Sequence, residues 1–500
     1  MSCVLMWFRN DLRIHDNTAL AAAARQGQVV AVFLRSLPQW QGYGHGPNKL
    51  EFWGRGVSAL RDDLAGLNIP LLHRDIEAYD HAPATLLAIA RETGAKALHF
   101  NREYPLDEQR RDQAVATTFA RAGLTAVAHH DATTFAPGEL LTGNGDYFRV
   151  FTPFAKAWHR ELSAERLAPR DTPSPQSLPA IAPDPLPPTS HDGERPVSTD
   201  DWPAGAEPAA DRLERFLRFR GRHYARQRDV PAFHGTSELS PYLALGMISH
   251  RQCLQAVLGE NHGQLAEGDV GLVTWVNELV WREFYQHVAA GFPRVCQHRA
   301  FQQHTEALAW RSDEVGFRAW CEGRTGYPIV DAGMRQLVQT GWMHNRLRMI
   351  TAMFLSKHLL IDWRHGEAFF LHQLFHPLQA CEGGMTFIHM ANFGLNAQGI
   401  EGFYTTYAKQ DFLFQSVLPI ATIQLMRNAA VAFLVFFQIG IEQVQGHATN
   451  LNFPDFGMQR TAGELNVDFN PVAILVFHRK YRQVAEFLWL VVGHLFAMGR

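Results

Sequence analysis

Cysteine is scarce in this sequence, and the common metal and dinucleotide motifs are missing. The 500 residues include five cysteines, an odd number, and none stands in a CxxC pair. We therefore expect free thiols in a reducing cytoplasm, with neither a disulfide framework nor a zinc site. The 25 histidines form no HExxH motif or other metal-ligand spacing, so no metal is predicted. No GxGxxG follows the first apolar segment, which argues against a dinucleotide site of the usual kind there.

Long hydrophobic runs and a strong charge imbalance are also missing. The apolar runs Ala429–Phe437 and Phe487–Met498 are too short to span a bilayer. Met1–Phe8 leads directly into an apolar strand and does not resemble a signal peptide. We predict a cytoplasmic monomer with no membrane contact and no obligatory protein partner. Because the formal net charge is −3, a nucleic-acid surface would have to be a local basic patch.

Residues 1–133 are predicted to form a parallel, doubly wound α/β domain of the Rossmann-like kind. A chain of this length exceeds one hydrophobic core, so we expect two or three domains. Strand patterns alternate here with helical patterns of ten or more residues, which is typical of a parallel sheet. The predicted strands are Cys3–Phe8, Gln28–Phe33, Pro70–His73, Ala97–Phe100 and Thr125–Ala128. Ligands bind such sheets beyond the carboxyl ends of the strands.

Residues 134–208 are predicted to be an interdomain linker, and residues 209–500 an all-α domain. From Arg166 to Pro208 the composition shifts to Pro, Ser, Asp and Ala, which is typical of an extended surface segment. Strand patterns nearly disappear after it. The predicted helices are Ala210–Arg220, Ser249–Gly259, Leu272–Ala289, Val315–Glu322, Asp331–Leu355 and Arg364–Leu374.

Two helical stretches carry polar and aromatic side chains where a core helix would be apolar. Trp342, Asn345, Arg348 and Met349 follow at spacings of three and four, as do Glu278, Trp281, Arg282 and Tyr285, so each set would share one helical face. The second set could stack on a base and grip its polar edge. A solvated amphipathic helix for the first set, and core packing for the second, explain the patterns equally well.

The loop from Gly235 to Pro241 offers hydroxyl and backbone N–H groups just before a helix. Thr236, Ser237 and Ser240 lie in it, and such an arrangement can hold phosphate. On the local signal alone, a capped helix N-terminus is the favoured explanation.

Four longer motifs resemble the DNA photolyase and cryptochrome family, most closely the bacterial class I cyclobutane pyrimidine dimer photolyases. They are WFRNDLRIHDNTAL (Trp7–Leu20), GTSELSPYLALGMIS (Gly235–Ser249), WVNELVWREFY (Trp275–Tyr285), and TGYPIVDAGMRQL with TGWMHNRLRMITAMFLSKHLLIDWR (within Thr325–Arg364). The resemblance implies a Rossmann-like antenna domain, an all-α FAD-binding domain and light-driven repair of cyclobutane pyrimidine dimers in DNA, through electron transfer from excited FADH⁻ to a flipped-out dimer. A cryptochrome-like photoreceptor without repair and a flavin-free DNA-binding protein remain alternatives.

The resemblance also implies a role for each matched position. The predicted FAD-binding residues are Tyr224, Thr236, Ser237, Leu239, Ser240, Trp275, Arg282, Asn345 and Arg348. The residues predicted to meet the dimer are Glu278, Trp281, Asn345 and Met349. The predicted DNA contacts are Arg228, Glu278, Trp281, Tyr285, Asn345 and Arg346. Electron transfer is assigned to Trp310 and Trp363. A methenyltetrahydrofolate antenna, with a deazaflavin as the alternative, is assigned to Asp107, Glu108 and Cys296, although Gln297 replaces the usual lysine.

The family motifs end near Leu378, and residues 376–500 show no further match. The resemblance leads us to expect two aspartates, an asparagine beside the flavin and two tryptophans in the segment LFHPLQACEGGMTFIHMANF. With one deleted residue, these positions are occupied by Phe375, Pro377, Cys381, Met385 and Phe387. Without the gap, Glu382 takes the asparagine position and Thr386 that of the proximal tryptophan. We therefore expect altered flavin contacts and no proximal tryptophan. Each lost hydrogen bond to FAD would cost about 0.5–1.5 kcal/mol.

Overall fold

The computed structural model describes residues 2–178, 180–188, 197 and 200–375, together with the backbone of Met458–Thr461 and Glu464–Val467. The chain divides into two compact units, Met1–Asp411 and Phe412–Arg500. The domain boundaries predicted at residues 133 and 208 fall inside the first unit and stay predictions. The substitutions expected at Pro377, Cys381, Met385 and Phe387 lie outside the described residues.

Five apolar segments form a parallel sheet in the first unit, as predicted. In chain order the strands are β1 (Cys3–Phe8), β2 (Gln28–Arg35), β3 (Leu71–Asp75), β4 (Ala97–Asn101) and β5 (Thr125–His129). Their order in the sheet is β3-β2-β1-β4-β5, and Val4 of β1 pairs with Val29 of β2 and with Ala97 of β4. From β1 the chain adds β2 and β3 on one side of the sheet, and then adds β4 and β5 on the other side of β1. This change of side between β1 and β4 opens a crevice at their carboxyl ends.

Helices cover both faces of the sheet, which is why β1 is apolar on both sides. The helices are α1 (Thr18–Gln26), α2 (Leu37–Gly42), α3 (Pro47–Gly66), α4 (Ala82–Thr93) and α5 (Leu106–Arg121). Met6 and Phe8 belong to the buried cluster that includes α1 and α3. Leu5 and Trp7 belong to the cluster that includes α4 and α5. Successive side chains of one strand therefore build two separate cores.

The range predicted as a linker contains a substantial helix. After β5 the chain forms α6 (Phe151–Glu161) and α7 (Ala164–Leu167), and Trp158 of α6 is buried. The following residues are extended and bind the sheet. The side-chain amide of Gln176 donates to the Val29 carbonyl at 2.9 Å and accepts from the Val29 N–H at 2.8 Å.

The rest of the first unit is helical in its described residues. The helices are α8 (Ala206–Phe219), α9 (Tyr224–Gln227), α10 (Ser240–Ala244), α11 (His250–Glu260), α12 (Val270–Gly291), α13 (Glu314–Cys321), α14 (Pro328–Thr340), α15 (Asn345–Met353) and α16 (Trp363–Gln373). Short 3₁₀ helices span Tyr79–His81, Gly221–His223, Pro293–Gln297 and Gln303–Ala307, and a π-helical turn spans Phe354–His358. Among these described residues, no helix is long and apolar enough to cross a membrane.

The single helix predicted over Asp331–Leu355 is wrong, because the chain breaks between α14 and α15. Gly341 ends α14 in the left-handed region, with φ at 64°, a conformation that favours glycine. His344 then caps α15, since its Nδ1 accepts a hydrogen bond from the Arg346 N–H at 3.1 Å. Trp342 consequently lies in the break and not on the helix that carries Asn345.

The second unit contains a feature that the all-α prediction did not include. β6 (Met458–Thr461) and β7 (Glu464–Val467) pair antiparallel, with Met458 opposite Val467.

Candidate functional site

The face of α12 is the centre of the candidate site. Asp269 fixes the start of this helix, because its carboxylate accepts hydrogen bonds from the N–H groups of Gly271 and Leu272 at 2.9 and 3.1 Å. Trp275 is buried and packs on Phe216, with ring centroids 5.0 Å apart. The following turns carry the four residues that the spacing predicted to share a face.

Two ion pairs join α12 and α15 to the end of α9. Glu278 pairs with Arg228, which follows α9, and both side chains are largely buried. Burial raises the pKa of Glu278, and the charge of Arg228 opposes that rise. The neighbouring Asp229 accepts a hydrogen bond from Nε of Arg346 at 2.6 Å. The structure thus brings together three residues that were predicted to contact DNA or the dimer.

Trp281 is stacked on a residue that the sequence reasoning missed. The rings of Trp281 and Phe151 lie 3.7 Å apart between centroids and 7° from parallel. Tyr285, one turn along, lies 5.6 Å from the indole, tilted by 31°. Phe151 begins α6, inside the range assigned to the linker, so no helical periodicity linked it to α12. Phe151 covers one face of the indole.

α15 supplies the remaining predicted dimer and flavin contacts. Asn345, its first residue, is exposed. A guanidinium nitrogen of Arg346 lies 3.0 Å from the Met349 sulfur. Arg348 donates from Nε to the Met343 carbonyl at 2.9 Å, and burial lowers its pKa to about 10. Trp342 does not lie on this face. Its ring centroid is 6.5 Å from that of Trp202.

Arg282 reaches from α12 toward the sheet. Its guanidinium donates to the Ala132 carbonyl at 2.9 Å and to the Leu243 carbonyl at 3.3 Å, while its buried Nε has no partner within the described part of the chain. Arg282 also lines the crevice at the carboxyl ends of β1 and β4, together with Asn10 and Asn101. A half-buried guanidinium with an unused Nε donor suits an anionic or polar ligand.

The predicted phosphate loop precedes α10 without a side-chain cap. Leu239 is the N-cap residue and is buried, and no side chain caps α10 there. Glu238 adopts a left-handed φ of 55° and pairs with Arg212 at 2.6 Å. Thr236 and Ser237 are half-buried beside it. The local signal favoured a helix N-terminus capped by a side chain. Among the described residues, α10 has no such cap.

The two tryptophans assigned to electron transfer lie on adjoining segments. Trp363 is buried at the start of α16, with the Arg364 guanidinium 4.7 Å from its ring centroid. Trp310 is half-buried, and the N–H of the next residue, Arg311, donates to the Leu360 carbonyl at 2.7 Å. This backbone bond places the Trp310 segment beside the residues that lead into α16.

The three antenna positions lie on α5 and on the 3₁₀ helix Pro293–Gln297. The Tyr43 hydroxyl donates to Asp107 at 2.9 Å, and burial, reinforced by the charge of Glu103, raises the pKa of Glu108 to about 7. Cys296 is disulfide-bonded, so the expectation of a free thiol was wrong there. The described thiols that are free are Cys3, Cys253 and Cys321.

Two family models match the sequence. The model described as DNA photolyase covers residues 4–177, and the FAD binding domain of DNA photolyase covers residues 275–410. The second match continues beyond Leu378, so the resemblance extends further along the chain than the motifs indicated.

Relatives and solved structures agree with these models. The deoxyribodipyrimidine photo-lyases of Vibrio cholerae serotype O1 and Escherichia coli are each 40% identical to this chain; the alignments cover 76% and 77% of it and 81% of each relative. The crystal structure of a class III photolyase from Agrobacterium tumefaciens superimposes with a TM-score of 0.70 at 34% identity, covering 78% of this chain and 80% of that one. A cryptochrome of Synechocystis sp. PCC6803 gives 0.69 at 27% identity, covering 82% and 86%. The chain belongs to the DNA photolyase family.

Proposed function

We propose that this protein binds FAD and repairs cyclobutane pyrimidine dimers in DNA under light. The observation that carries the proposal is the convergence of Arg228, Glu278, Trp281 and Arg346 on one site, in a chain that belongs to the photolyase family. Relatives 40% identical to it are named deoxyribodipyrimidine photo-lyases, and this favours repair over the photoreceptor alternative.

The described residues fit a dinucleotide that carries phosphates. The Nε donor of Arg282 is buried and has no partner among the residues that the structure describes, and Thr236 and Ser237 offer hydroxyls just before α10. We assign FAD binding to Tyr224, Thr236, Ser237, Leu239, Ser240, Trp275, Arg282, Asn345 and Arg348. When bound, FAD supplies the light-driven electron, and the protein supplies position and exclusion of water.

Glu278, Trp281, Asn345 and Met349 are the residues to which we assign contact with the dimer. Photolyases reach a pyrimidine dimer by flipping it out of the duplex. Stacking on Trp281 would return about 1–3 kcal/mol of the unstacking cost. Because burial raises the pKa of Glu278, its carboxyl group takes up a proton more readily than an exposed glutamate and can then donate a hydrogen bond to a dimer carbonyl. Release of Arg228 to a DNA phosphate would favour that protonation.

We assign Trp310 and Trp363 to electron transfer during photoreduction of the cofactor. Their adjoining segments and the burial of Trp363 support this assignment. Trp363→Phe should slow photoreduction of the bound flavin in the presence of an external reductant, while dimer splitting by chemically reduced protein is retained.

The antenna is proposed to be methenyltetrahydrofolate near Asp107, Glu108 and Cys296. The Asp107 carboxylate at the first turn of α5 supports it, whereas Gln297 in place of lysine weakens it. A deazaflavin in the crevice at the ends of β1 and β4 is the competing proposal. Absorbance and mass of the chromophore released on denaturation distinguish the two.

The decisive experiment uses the purified full chain. Bound FAD is measured first, and ultraviolet-irradiated oligonucleotides are then incubated with the protein in blue light and in darkness. Loss of dimers in light alone supports repair. Photoreduction without loss of dimers would identify a photoreceptor, and a colourless preparation that binds DNA would identify a flavin-free protein. The monomeric state and the cytoplasmic location stay predictions.

Trp281→Ala tests the dimer contact directly. We expect binding of dimer-containing DNA to weaken by about 1–3 kcal/mol, since one stacking surface is lost. FAD content and affinity for undamaged duplex should be unchanged, and both are measured as controls. An unaltered affinity for dimer-containing DNA would remove Trp281 from the site.

A further inference from the structure

Asp229 is a carboxylate within the candidate site to which neither the motifs nor the proposed mechanism gives a role. It lies two residues beyond α9 and is half-buried. Its Oδ1 accepts hydrogen bonds from the Nε of Arg346 at 2.6 Å and from the Nε of Arg228 at 3.4 Å. A carboxylate beside two arginines that are assigned to DNA would repel the same phosphates. Its place between them therefore requires a reason other than general affinity for DNA.

The contacts to Asp229 use only the Nε edge of each guanidinium. Arg228 donates from Nη1 to Glu278, and its Nη2 makes no hydrogen bond within the described part of the chain. The Nη1 of Arg346 lies 3.0 Å from the Met349 sulfur. An arginine can bind one anion on its Nε edge and another on its terminal nitrogens. Asp229 can therefore hold both guanidinium groups while their terminal nitrogens bind a second anion.

Both arginines also touch residues that are assigned to the dimer, because Arg228 contacts Glu278 and Arg346 contacts Met349. Burial raises the pKa of Glu278; the charge of Arg228 opposes the rise, and the charge of Asp229 adds to it. If Arg228 turns from Glu278 to a phosphate, its Nε contact with Asp229 can stay in place. Glu278 then keeps a nearby negative charge, which favours its protonated form.

We infer that Asp229 is a positioning residue for dimer recognition. It fixes the Nε edges of Arg228 and Arg346 and so orients both guanidinium groups toward the DNA strand that carries the dimer. The inference rests on the proposed function and deepens it, since Asp229 need not touch the DNA and carries the wrong charge to attract it. The sign of the effect of a substitution at Asp229 therefore separates positioning from general electrostatics.

Asp229→Asn removes the charge and keeps the shape of the side chain. We expect the affinity for dimer-containing duplex to fall by about three- to tenfold, since the two guanidinium groups lose the carboxylate that orients them. The affinity for the same duplex undamaged should not fall, because non-specific binding follows the net positive charge. FAD content and dimer splitting at saturating DNA should be retained. Unchanged or tighter binding of dimer-containing duplex would overturn the inference, and so would loss of splitting at saturating DNA.

Glu92→Gln is the matched control for charge. Glu92 stands on α4 in the α/β layer and also pairs with an arginine, Arg74, at 3.2 Å. Its substitution changes the net charge by the same amount, so the preference for dimer-containing duplex should stay that of the wild type. An equal loss of preference in Glu92→Gln and Asp229→Asn would show that the position of the carboxylate is irrelevant and would overturn the inference.

The background Arg228→Gln/Arg346→Gln tests whether Asp229 acts through the two arginines. Asp229 has no guanidinium group to orient there, so adding Asp229→Asn should leave the affinity for dimer-containing duplex unchanged or raise it. Equal weakening in the two backgrounds would overturn the inference, because the effects would then be independent. Loss of FAD on adding Asp229→Asn in both backgrounds would overturn it as well, since Asp229 would then serve the fold.

All binding is measured in darkness, which separates this inference from the proposed function. A wild type that prefers dimer-containing duplex in the dark but splits no dimers in blue light would refute repair, and weaker dimer binding by Asp229→Asn would still support the positioning role. A wild type with no preference for dimer-containing duplex would overturn both.

Discussion

The side chains of the site are fixed by partners from distant parts of the sequence. The Glu278–Arg228 pair and the Trp281–Phe151 stack each join different elements. Helical spacing placed Glu278 and Trp281 on one face of α12, and the family motifs gave them roles. Neither signal indicated what holds them, because a contact between two elements leaves no periodicity in either one. Phe151 was missed for this reason.

Phe151→Leu should weaken binding of dimer-containing DNA although Phe151 itself need not touch the dimer. Stacked aromatic pairs contribute about 0.5–1.5 kcal/mol beyond the area they bury. Losing the stack leaves the Trp281 ring less well fixed, so we expect up to about tenfold weaker dimer binding, with the affinity for undamaged duplex unchanged. Titration of both duplexes, with FAD content as a check on folding, measures the effect.

Phe148→Leu is the matched control for that substitution. Phe148 packs edge-on against Phe154, with ring centroids 5.9 Å apart, and precedes α6. The substitution therefore removes an aromatic contact from the same region but none from Trp281. The role given to Phe151 would be wrong if both variants weakened dimer binding equally.

At the scale of elements, the sheet and most helices were predictable, and the break at Gly341 was not. Strands such as β1 are continuously apolar because helices cover both faces. The segment after Gly341 keeps the apolar spacing of a helix through Trp342 and Met343, and a single glycine inside such a pattern is a weak signal. The helix α6 was missed because the range 134–208 was assigned from the composition of its second half.

Gly341→Ala should destabilise the first unit. Gly341 has a φ of 64°, and an added Cβ would lie 2.8 Å from the Phe375 ring. The left-handed conformation alone costs a non-glycine residue about 1–2 kcal/mol, and displacement of the buried Phe375 ring adds to it. Chemical denaturation should show a lower free energy of unfolding, and retention of FAD should fall because α15 carries Asn345 and Arg348.

Gly326→Ala separates the backbone cost of the left-handed conformation from the displacement of the Phe375 ring. Its φ of 85° imposes the same backbone cost, but an added Cβ there meets nothing within 4 Å. We expect a smaller loss of stability than at Gly341 and no loss of FAD. Identical losses at the two positions would mean that Phe375 contributes nothing to the effect.

At the scale of the molecule, buried charges join the sheet to the helical part of the first unit. Asp131, just beyond β5, pairs with Arg13 and with Arg251 of α11, the latter at 2.6 Å. Arg251 also pairs with Asp16 at 2.9 Å. All four side chains are almost fully buried. The sequence could not reveal this network, because Arg13, Asp131 and Arg251 are each more than a hundred residues from the next.

Asp131→Asn should therefore be far more damaging than a loss of charge at the surface. It leaves the buried guanidinium of Arg13 without a carboxylate and that of Arg251 with Asp16 alone, and breaking a buried pair from one side costs about 3–5 kcal/mol. Asp184→Asn is the control, because its pair with Arg74 is about one-third exposed and such pairs contribute about 0–1 kcal/mol. Urea denaturation of both variants at neutral pH measures the difference, and comparable losses would contradict a joining role for Asp131.

The loss of stability caused by Asp131→Asn should depend on pH, with a definite sign. Burial alone would raise the pKa of Asp131, but the guanidinium groups of Arg13 and Arg251 hold it well below its usual range. A depressed pKa means that the stabilisation is complete above the pKa of the unfolded chain, about 3.9, and is lost as the pH falls further toward the folded value. The gap in unfolding free energy between the wild type and Asp131→Asn should thus be constant from pH 7 to about 5 and narrow below pH 4. A gap that stayed constant down to pH 3 would show that Asp131 is not held as a carboxylate by the two arginines.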